Sequence, residues 1–393
     1  MHRSPLLLIV FSASAQAQWT VTNLHPEGAT HSQAFASSGS GQVGRVFAVN
    51  VNRASLWNRS APPLDLHPEG TTESYAIAAS GSQQVGRAGV GGVQIDAYMW
   101  SGTAESWTNL NPAGATGSEA SATDGIHQAG VALVGGTEHA SLWMGSAGTW
   151  VDLHPVGQAT SSWARGISGA FQVGYASVLG ADHACLWMGT PGTWVDLDPP
   201  GSSSSRAFAI SGSLVAGFAH VDNVQRASLW TGTAAGSWTS IHPVEASYSV
   251  AFVIGGTEVA GWAGVGGNDH ACRWNLTAGS WIDLHTFLPP GFTTSQARGI
   301  STDGINTYVC GFGWNTATGR TEALLWTQAI CYANCDGSTA APLLNVNDFV
   351  CFLNYFAAGE QYANCDASTT PPVLNVNDFV CFLNKFAAGC TGP

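Results

Sequence analysis

A tryptophan returns every forty-three or forty-four residues through most of this chain. Trp57, Trp100, Trp143, Trp187, Trp230, Trp274 and Trp326 close look-alike units, spaced 43, 43, 44, 43, 44 and 52 residues apart. A fixed period near forty marks a repeat architecture, in which one unit is too small to bury its own apolar face and must stack on its neighbours. Counting the unit that starts at Trp19, there are seven.

The unit between Trp143 and Trp187 holds four short apolar runs: Trp150–Leu153, Trp163–Ile167, Phe171–Ala176 and His183–Trp187. Gly, Ser, Pro or Thr bound each run, and none is long enough for a helix. Such runs read as strands. Four strands in each of seven units predict a mainly β chain folded as a seven-bladed β-propeller, the radial solution to exposed sheet edges. Only 9% of residues are charged, and Gly (48) and Trp (16) are frequent, which suits turn-rich, aromatic-rich sheets.

Two tryptophans flank each Gly/Ser turn, as at Trp143/Trp150 and Trp187/Trp194. Facing aromatics suit a hairpin. The strand after the turn therefore belongs to the same blade as the strand before it, and the chain crosses to the next blade at His-Pro. The final strand, Ala323–Trp326, then lacks a partner of its own. The N-terminal strand Trp19–Leu24 is expected to supply it and close the ring.

Met1–Ala17 has a short basic start, an apolar stretch and an Ala-Gln-Ala end, the pattern of a secretory signal peptide. The protein is accordingly expected to be secreted, extracellular or at the cell surface. The net charge of −13 argues against a nucleic-acid partner, and no apolar run after the leader is long enough to span a membrane.

Residues 18–327 form the repeat segment. Its pattern of V-G followed by A-x-L-W stands at Gln42–Gly44 with Ala54–Trp57, and again at Gln172–Gly174 with Ala184–Trp187. This resembles the extracellular HAF-type repeats, a resemblance that implies a propeller-like fold and no particular activity. The V-G glycine recurs at Gly44, Gly86, Gly130, Gly174, Gly217, Gly261 and Gly311, where a bulge or close backbone approach is expected.

Polar residues recur too. His25, His67, His154, His242 and His285 share one position, with Asn111 and Asp198 in the other two units. They could form a polar ring able to hold a metal or sugar, but a strand-ending turn accounts for them better. Arg53, Asp96, His139, His183, Arg226, His270 and Glu322 share a second position, read as solvated. Asp65, Asp152, Asp196 and Asp283 read as edge or solvent-facing charges. The longest crossover carries His285, Phe287 and Phe292, the candidate binding residues, since loops on rigid scaffolds carry function. Cys185, Cys272 and Cys310 read as buried apolar groups.

Composition changes at Cys331. Six of the nine cysteines (Cys331, Cys335, Cys351, Cys365, Cys381 and Cys390) lie in the last 63 residues, and Leu344–Asn354 recurs unchanged as Leu374–Asn384. Each copy predicts a helix with Asn345 or Asn347 as cap, Asp348 in the first turn and an apolar stripe of Phe349, Phe352, Leu353 and Phe356. The loop before each helix alternates Asn, Asp and Ser, oxygen donors that suit calcium. Six cysteines allow fifteen pairings. Symmetry favours Cys335–Cys351 with Cys365–Cys381, or the crossed version, leaving Cys331 and Cys390 to clasp the ends.

Two such units in tandem resemble a type I dockerin of the Gly-Cys-ending variety over nearly all of residues 331–393, which sets an expected C-terminal domain at 328–393. The resemblance implies a small α-helical domain of two loop–helix repeats. Its calcium ligands would be Asn334, Asp336, Ser338 and Asp348, then Asn364, Asp366, Ser368 and Asp378. The first ligand is Asn where the family has Asp, and Thr339 and Thr369 stand where it has glycine. The partner implied is a cohesin-type or cell-surface protein.

These readings together give a non-catalytic propeller interaction module anchored by its tail, with a glycan or protein ligand on the propeller face. A dockerin-borne glycan hydrolase or lyase is the first alternative and a structural surface component the second. Paired carboxylates at the axis would mark the enzyme.

Overall fold

The computed structural model describes residues 19–39, 41–91, 94–232, 235–303, 306–329, 332–336, 342, 344–366, 368 and 371–389. The expected leader, Cys331, Ser338 and Cys390 lie outside these residues. Two compact units divide the chain: residues 20–303 with 308–327 form one, and 328–393 belong to the other.

The first unit is seven four-stranded antiparallel sheets, the propeller its period predicts. In blade one the innermost strand is His31–Ser38, followed outward by Gly41–Ala48, Val51–Trp57 and the short Leu64–Asp65. Blade seven runs Phe292–Thr302, Asn306–Asn315, Arg320–Ala329, and its outer strand is Thr20–Asn23 from the far end of the sequence. Val21 pairs with Trp326 and Asn23 with Leu324. The ring closes as expected, because an unpaired last strand would leave a row of backbone groups without partners.

The recurring tryptophan is the core of each blade. All seven are fully buried, among clusters drawn from neighbouring blades. Trp57 packs with Tyr308 and Leu325 of blade seven, and Trp274 with Ala216 and Leu229 of blade five. Trp57 also donates its indole N–H to the Leu24 carbonyl at 2.8 Å, as Trp230 does to Leu197 at 2.8 Å. Among the described residues no ring contact joins the two tryptophans of a pair; Trp150 donates its Nε1–H to Ser141 Oγ (2.9 Å) and Trp238 to Ser228 Oγ (2.9 Å).

The V-G glycine is a close approach. A Cβ on Gly174 would lie 1.8 Å from the Trp163 carbonyl oxygen, and on Gly44 1.9 Å from that of Gln33. The innermost strand bulges at the same place. Register slips between Ala34 and Ala36 in blade one and at the matching step in blades two to six. One residue per blade is thereby left unpaired and turned out of the pleat.

The second unit holds two helices, α1 (Val346–Ala358) and α2 (Val376–Ala388). Asn345 and Asn375 are the caps, each in a capping box with Asp348 or Asp378. Cys335–Cys351 and Cys365–Cys381 are bonded, the uncrossed pairing. Phe352 and Phe382 are fully buried and stacked at 4.2 Å. Leu353, expected on the stripe, is 40% exposed; Phe349, Phe352 and Phe356 already cover the inner face. Among the described residues no helix is long and apolar enough to cross a membrane.

Candidate functional site

The bulged residues of blades one to six, Phe35, Ile77, Ser121, Arg165, Phe208 and Phe252, and Arg298 at the matching position of blade seven, face the propeller axis. All line one cavity of about 560 Å³, to which every blade contributes. The size is typical of a small-molecule or peptide pocket. The other lining residues come from the two inner strands, among them Gln33, Arg45, Tyr75, Arg87, Glu119 and Phe312.

The cavity wall carries four guanidinium groups and one carboxylate. Arg87 Nη1 donates to Glu119 Oε2 at 2.7 Å, and Arg165 Nη1 lies 3.7 Å from Glu119 Oε1. Arg45 is held by neutral acceptors, Gln33 Oε1 at 2.8 Å and Asn52 Oδ1 at 2.9 Å. Arg298 Nη2 donates to Gln296 Oε1 at 2.6 Å. Its guanidinium also lies over Phe252, Trp262 and Phe312, with centroids 4.6, 4.5 and 5.4 Å away. Burial lowers the Arg298 pKa to about 10. Arg165 pushes in the same direction and Asp269 opposes both. Arg87 and Arg298 each keep an Nε–H with no acceptor among the described residues. The lining is thus cationic by three charges within a chain of net charge −13.

The histidine ring lies elsewhere and is a set of clasps. Ser32, Ser74, Ser162, Ser249 and Ser295 meet Nδ1 of His25, His67, His154, His242 and His285 at 2.7 to 2.9 Å. In the other two units the same serine hydroxyl donates to Asn111 Oδ1 and Asp198 Oδ1. Those oxygens can only accept, which assigns the histidines as neutral acceptors at Nδ1. Each serine in turn accepts a backbone N–H from the preceding blade. Ala54 donates to Ser74 and Ala323 to Ser32, both at 2.9 Å. Seven clasps tie seven blades. Burial lowers the pKa of all five histidines.

The second polar position is not simply solvated, as expected from its mixed charge. Six of its seven residues bond across to the outer strand, while Arg226 reaches the Val221 carbonyl and Asp222. His139, His183 and His270 reach Asp152, Asp196 and Asp283 at 2.8 Å, and Arg53 reaches Asp65. Asn109 donates to Asp96, and Asn23 to Glu322, both at 2.8 Å. The signs vary because each residue has its own partner, an opposite charge at Arg53 and a neutral amide at Asp96 and Glu322. Burial would raise the Glu322 pKa, but hydrogen bonds from Arg320, Asn315, Asn23 and Thr318 hold it at about 2.

His285 is therefore taken up by its clasp, and Phe287 and Phe292 are half-buried on the same crossover. None of the three lines the axial cavity. Cys185, Cys272 and Cys310 are free and buried, with raised pKa values due to burial. Cys185 Sγ bonds the His183 carbonyl as Ser55 Oγ bonds that of Arg53, so Cys replaces Ser in one structural position.

In the tail, Asn364 Oδ1 and Asp366 Oδ1 both accept the Ser368 N–H, at 3.0 and 2.9 Å. Asp378 Oδ1 accepts the Asp366 N–H at 3.2 Å, and Asp348 receives Asp336 N–H at the same distance in the first copy. Asp348 and Asp378 are fully buried. Among the described residues no group of three His, Cys, Asp or Glu gathers around a point; the loops are mixed sets in which Asn and Ser supply part of the oxygen.

Reading the sequence for repeated residues passed over the cavity. Its signal was a position with no repeat: F, I, S, R, F, F and R, each preceded by alanine, as in Ala34-Phe35-Ala36 and Ala164-Arg165-Gly166.

No family model matches the chain, and no curated protein matches it. Solved structures do. The chain is similar to a prolyl endopeptidase (TM-score 0.52, 13% identity), covering 77% of this chain and 50% of that one. It is similar to the acylaminoacyl peptidase of Pyrococcus horikoshii (TM-score 0.52, 10% identity; 84% and 55% covered). The β-propeller domain of the Trilobed protease from Pyrococcus furiosus, described as an open velcro topology, gives TM-score 0.50 at 11% identity, with 77% and 97% covered. The chain thus spans about half the length of the two complete peptidases. At these identities the likeness is one of fold. The folds are peptidase-type propellers, not dockerin modules, which corrects the expectation of an interaction module anchored by its tail, and with it the glycan-enzyme and surface-component alternatives. The repeated polar residues hold blades together, and the axial cavity is lined where the repeat fails.

Proposed function

We propose that this is a peptide-binding propeller of the peptidase-associated kind, whose axial cavity receives a peptide through its carboxylate. One observation carries the reading: four guanidinium groups face one carboxylate in a cavity of a strongly acidic protein. Like charges gathered in a partly desolvated cavity repel, and an incoming anion relieves that repulsion. Guanidinium offers paired N–H groups that match a carboxylate, and Arg298 has one unused. The similar solved structures are named as peptidases, which makes peptides the ligand class.

Calorimetric titration with trialanine and with its C-terminal amide tests this. The free acid should bind and the amide should not. Arg165→Gln with Arg298→Gln should abolish binding, and rising salt should weaken it. Equal binding of acid and amide would overturn the reading, as would uptake of oligogalacturonate in place of the peptide.

For the tail we propose a duplicated loop–helix pair of the dockerin type that holds calcium; the docking role is not carried forward. Support comes from Asn364, Asp366, Ser368 and Asp378, whose hydrogen bonds draw side-chain oxygens to one loop. Such a set fits a hard cation, which would order the loop. The first copy would use Asn334, Asp336, Ser338 and Asp348. Titrating the whole chain with calcium chloride should release heat, and Asp366→Asn with Asp378→Asn should halve the stoichiometry. No heat in the unaltered protein would remove calcium from the account. The propeller segment is likewise proposed, not shown, to be of the HAF-repeat kind.

A further inference from the structure

The axial cavity has two unlike walls. Blades one to four contribute Arg45, Tyr75, Arg87, Glu119 and Arg165. Blades five and six contribute an aromatic strip. Phe208 and Phe252 line the cavity and meet at 5.2 Å, backed by Phe218 at 5.7 Å from Phe208 and by Trp262 at 5.4 Å from Phe252. Arg298 rises from blade seven with its guanidinium over that strip, and its Nε–H has no acceptor among the described residues. A carboxylate bound there would sit beside aromatic rings and not beside water.

An anion alone leaves this wall unexplained. A glutamate or a bare phosphate would turn no apolar surface toward Phe208 and Phe252, and it would be desolvated against them without compensation. A group that joins a carboxylate to a planar apolar ring within one residue satisfies both features. We infer that the cavity selects peptides whose C-terminal residue is aromatic, the carboxylate meeting Arg298 and the ring lying along the Phe208–Phe252 strip. This rests on the carboxylate reading above and deepens it. The ring gains offset or edge contacts with two phenyl groups.

The test is a titration of the full chain with four peptides, Gly-Gly-Gly-Phe and Gly-Gly-Gly-Ala, each as acid and as amide. The Phe acid should bind about tenfold more tightly than the Ala acid, the value of one good aromatic contact. Phe208→Leu, with an unchanged melting temperature as its folding control, should reduce that preference several-fold while leaving the acid-over-amide preference intact. Equal binding of the Phe and Ala acids overturns the inference and leaves the carboxylate reading standing. Indifference to acid or amide overturns both.

Discussion

The propeller and the tail are both built by repetition, and they use it differently. Seven propeller units share a skeleton of Trp, Gly and Ser and differ at the bulge. The two tail units share eleven residues without change, down to exposed valines such as Val346 and Val376. In the propeller, each repeated residue joins one blade to the next, so stability is spread over seven similar interfaces. In the tail there is one interface, centred on Phe352 and Phe382, and two disulfides reinforce it. A core of that size is not self-sufficient. The contrast teaches where to look for chemistry: a ring that repeats a residue seven times makes scaffold, and only the varied position can recognise one asymmetric ligand.

The comparison can be broken most severely at a blade tryptophan. Trp143→Ala should cost about 3–5 kcal/mol by urea denaturation, the usual range for removing a fully buried aromatic. A loss under about 1 kcal/mol would mean that the blades do not depend on it. Next, Cys335→Ser with Cys351→Ser should cost the tail about 3 kcal/mol, read from helix ellipticity, while the tryptophan fluorescence of the propeller melts as before. Joint melting would erase the distinction between the two regions. Gly174→Ala should cost about 2 kcal/mol, since its Cβ would collide with the Trp163 carbonyl and force the strands apart.

A smaller effect separates the regions by pH. The five clasp histidines have folded pKa values below their ordinary 6.5. Burial is the main cause, helped by Arg320 at His25, Arg53 at His67, His139 at His154, Arg226 at His242 and His270 at His285. The unfolded chain then binds more protons than the folded one just below pH 6.5. Propeller stability should be full above 6.5 and fall as the pH drops from there through the folded values. The tail contains no histidine and should show no such loss between pH 7 and 5. Melting curves at both wavelengths across that window decide it. Smallest of all, Leu353→Ser on the exposed side of α1 should change stability by no more than about 0.5 kcal/mol; a larger loss would restore Leu353 to the core.

Most of the scaffold was legible because its causes are local or periodic. The Trp period, the Gly/Ser turns and the orphan strand at Ala323–Trp326 together required seven blades and closure by the N-terminal strand. The cap at Asn345 and the stripe through Phe352 required the helices. The site was less legible. His25, His67, His154 and His242 were read as strand-ending turn residues and His285 as a binding candidate too, yet their serine partners seven to ten residues away carried no visible signal. The cross-strand pairs His139–Asp152 and Glu322–Asn23 looked like unrelated surface residues because each position was read apart from its partner on the outer strand. Arg165 and Arg298 looked like breaks in a motif.

The sequence by itself determined the number of blades, the strands within them, the place of the tight glycine and the doubling of the tail. Those follow from side-chain period and backbone sterics, which act over a few residues. Only the tertiary structure decided that Phe35, Arg165, Phe252 and Arg298 face one another. They lie up to 263 residues apart, and only the closed ring of blades turns them toward one cavity. The electrostatic character of the cavity is a sum over that ring, and no single unit contains it.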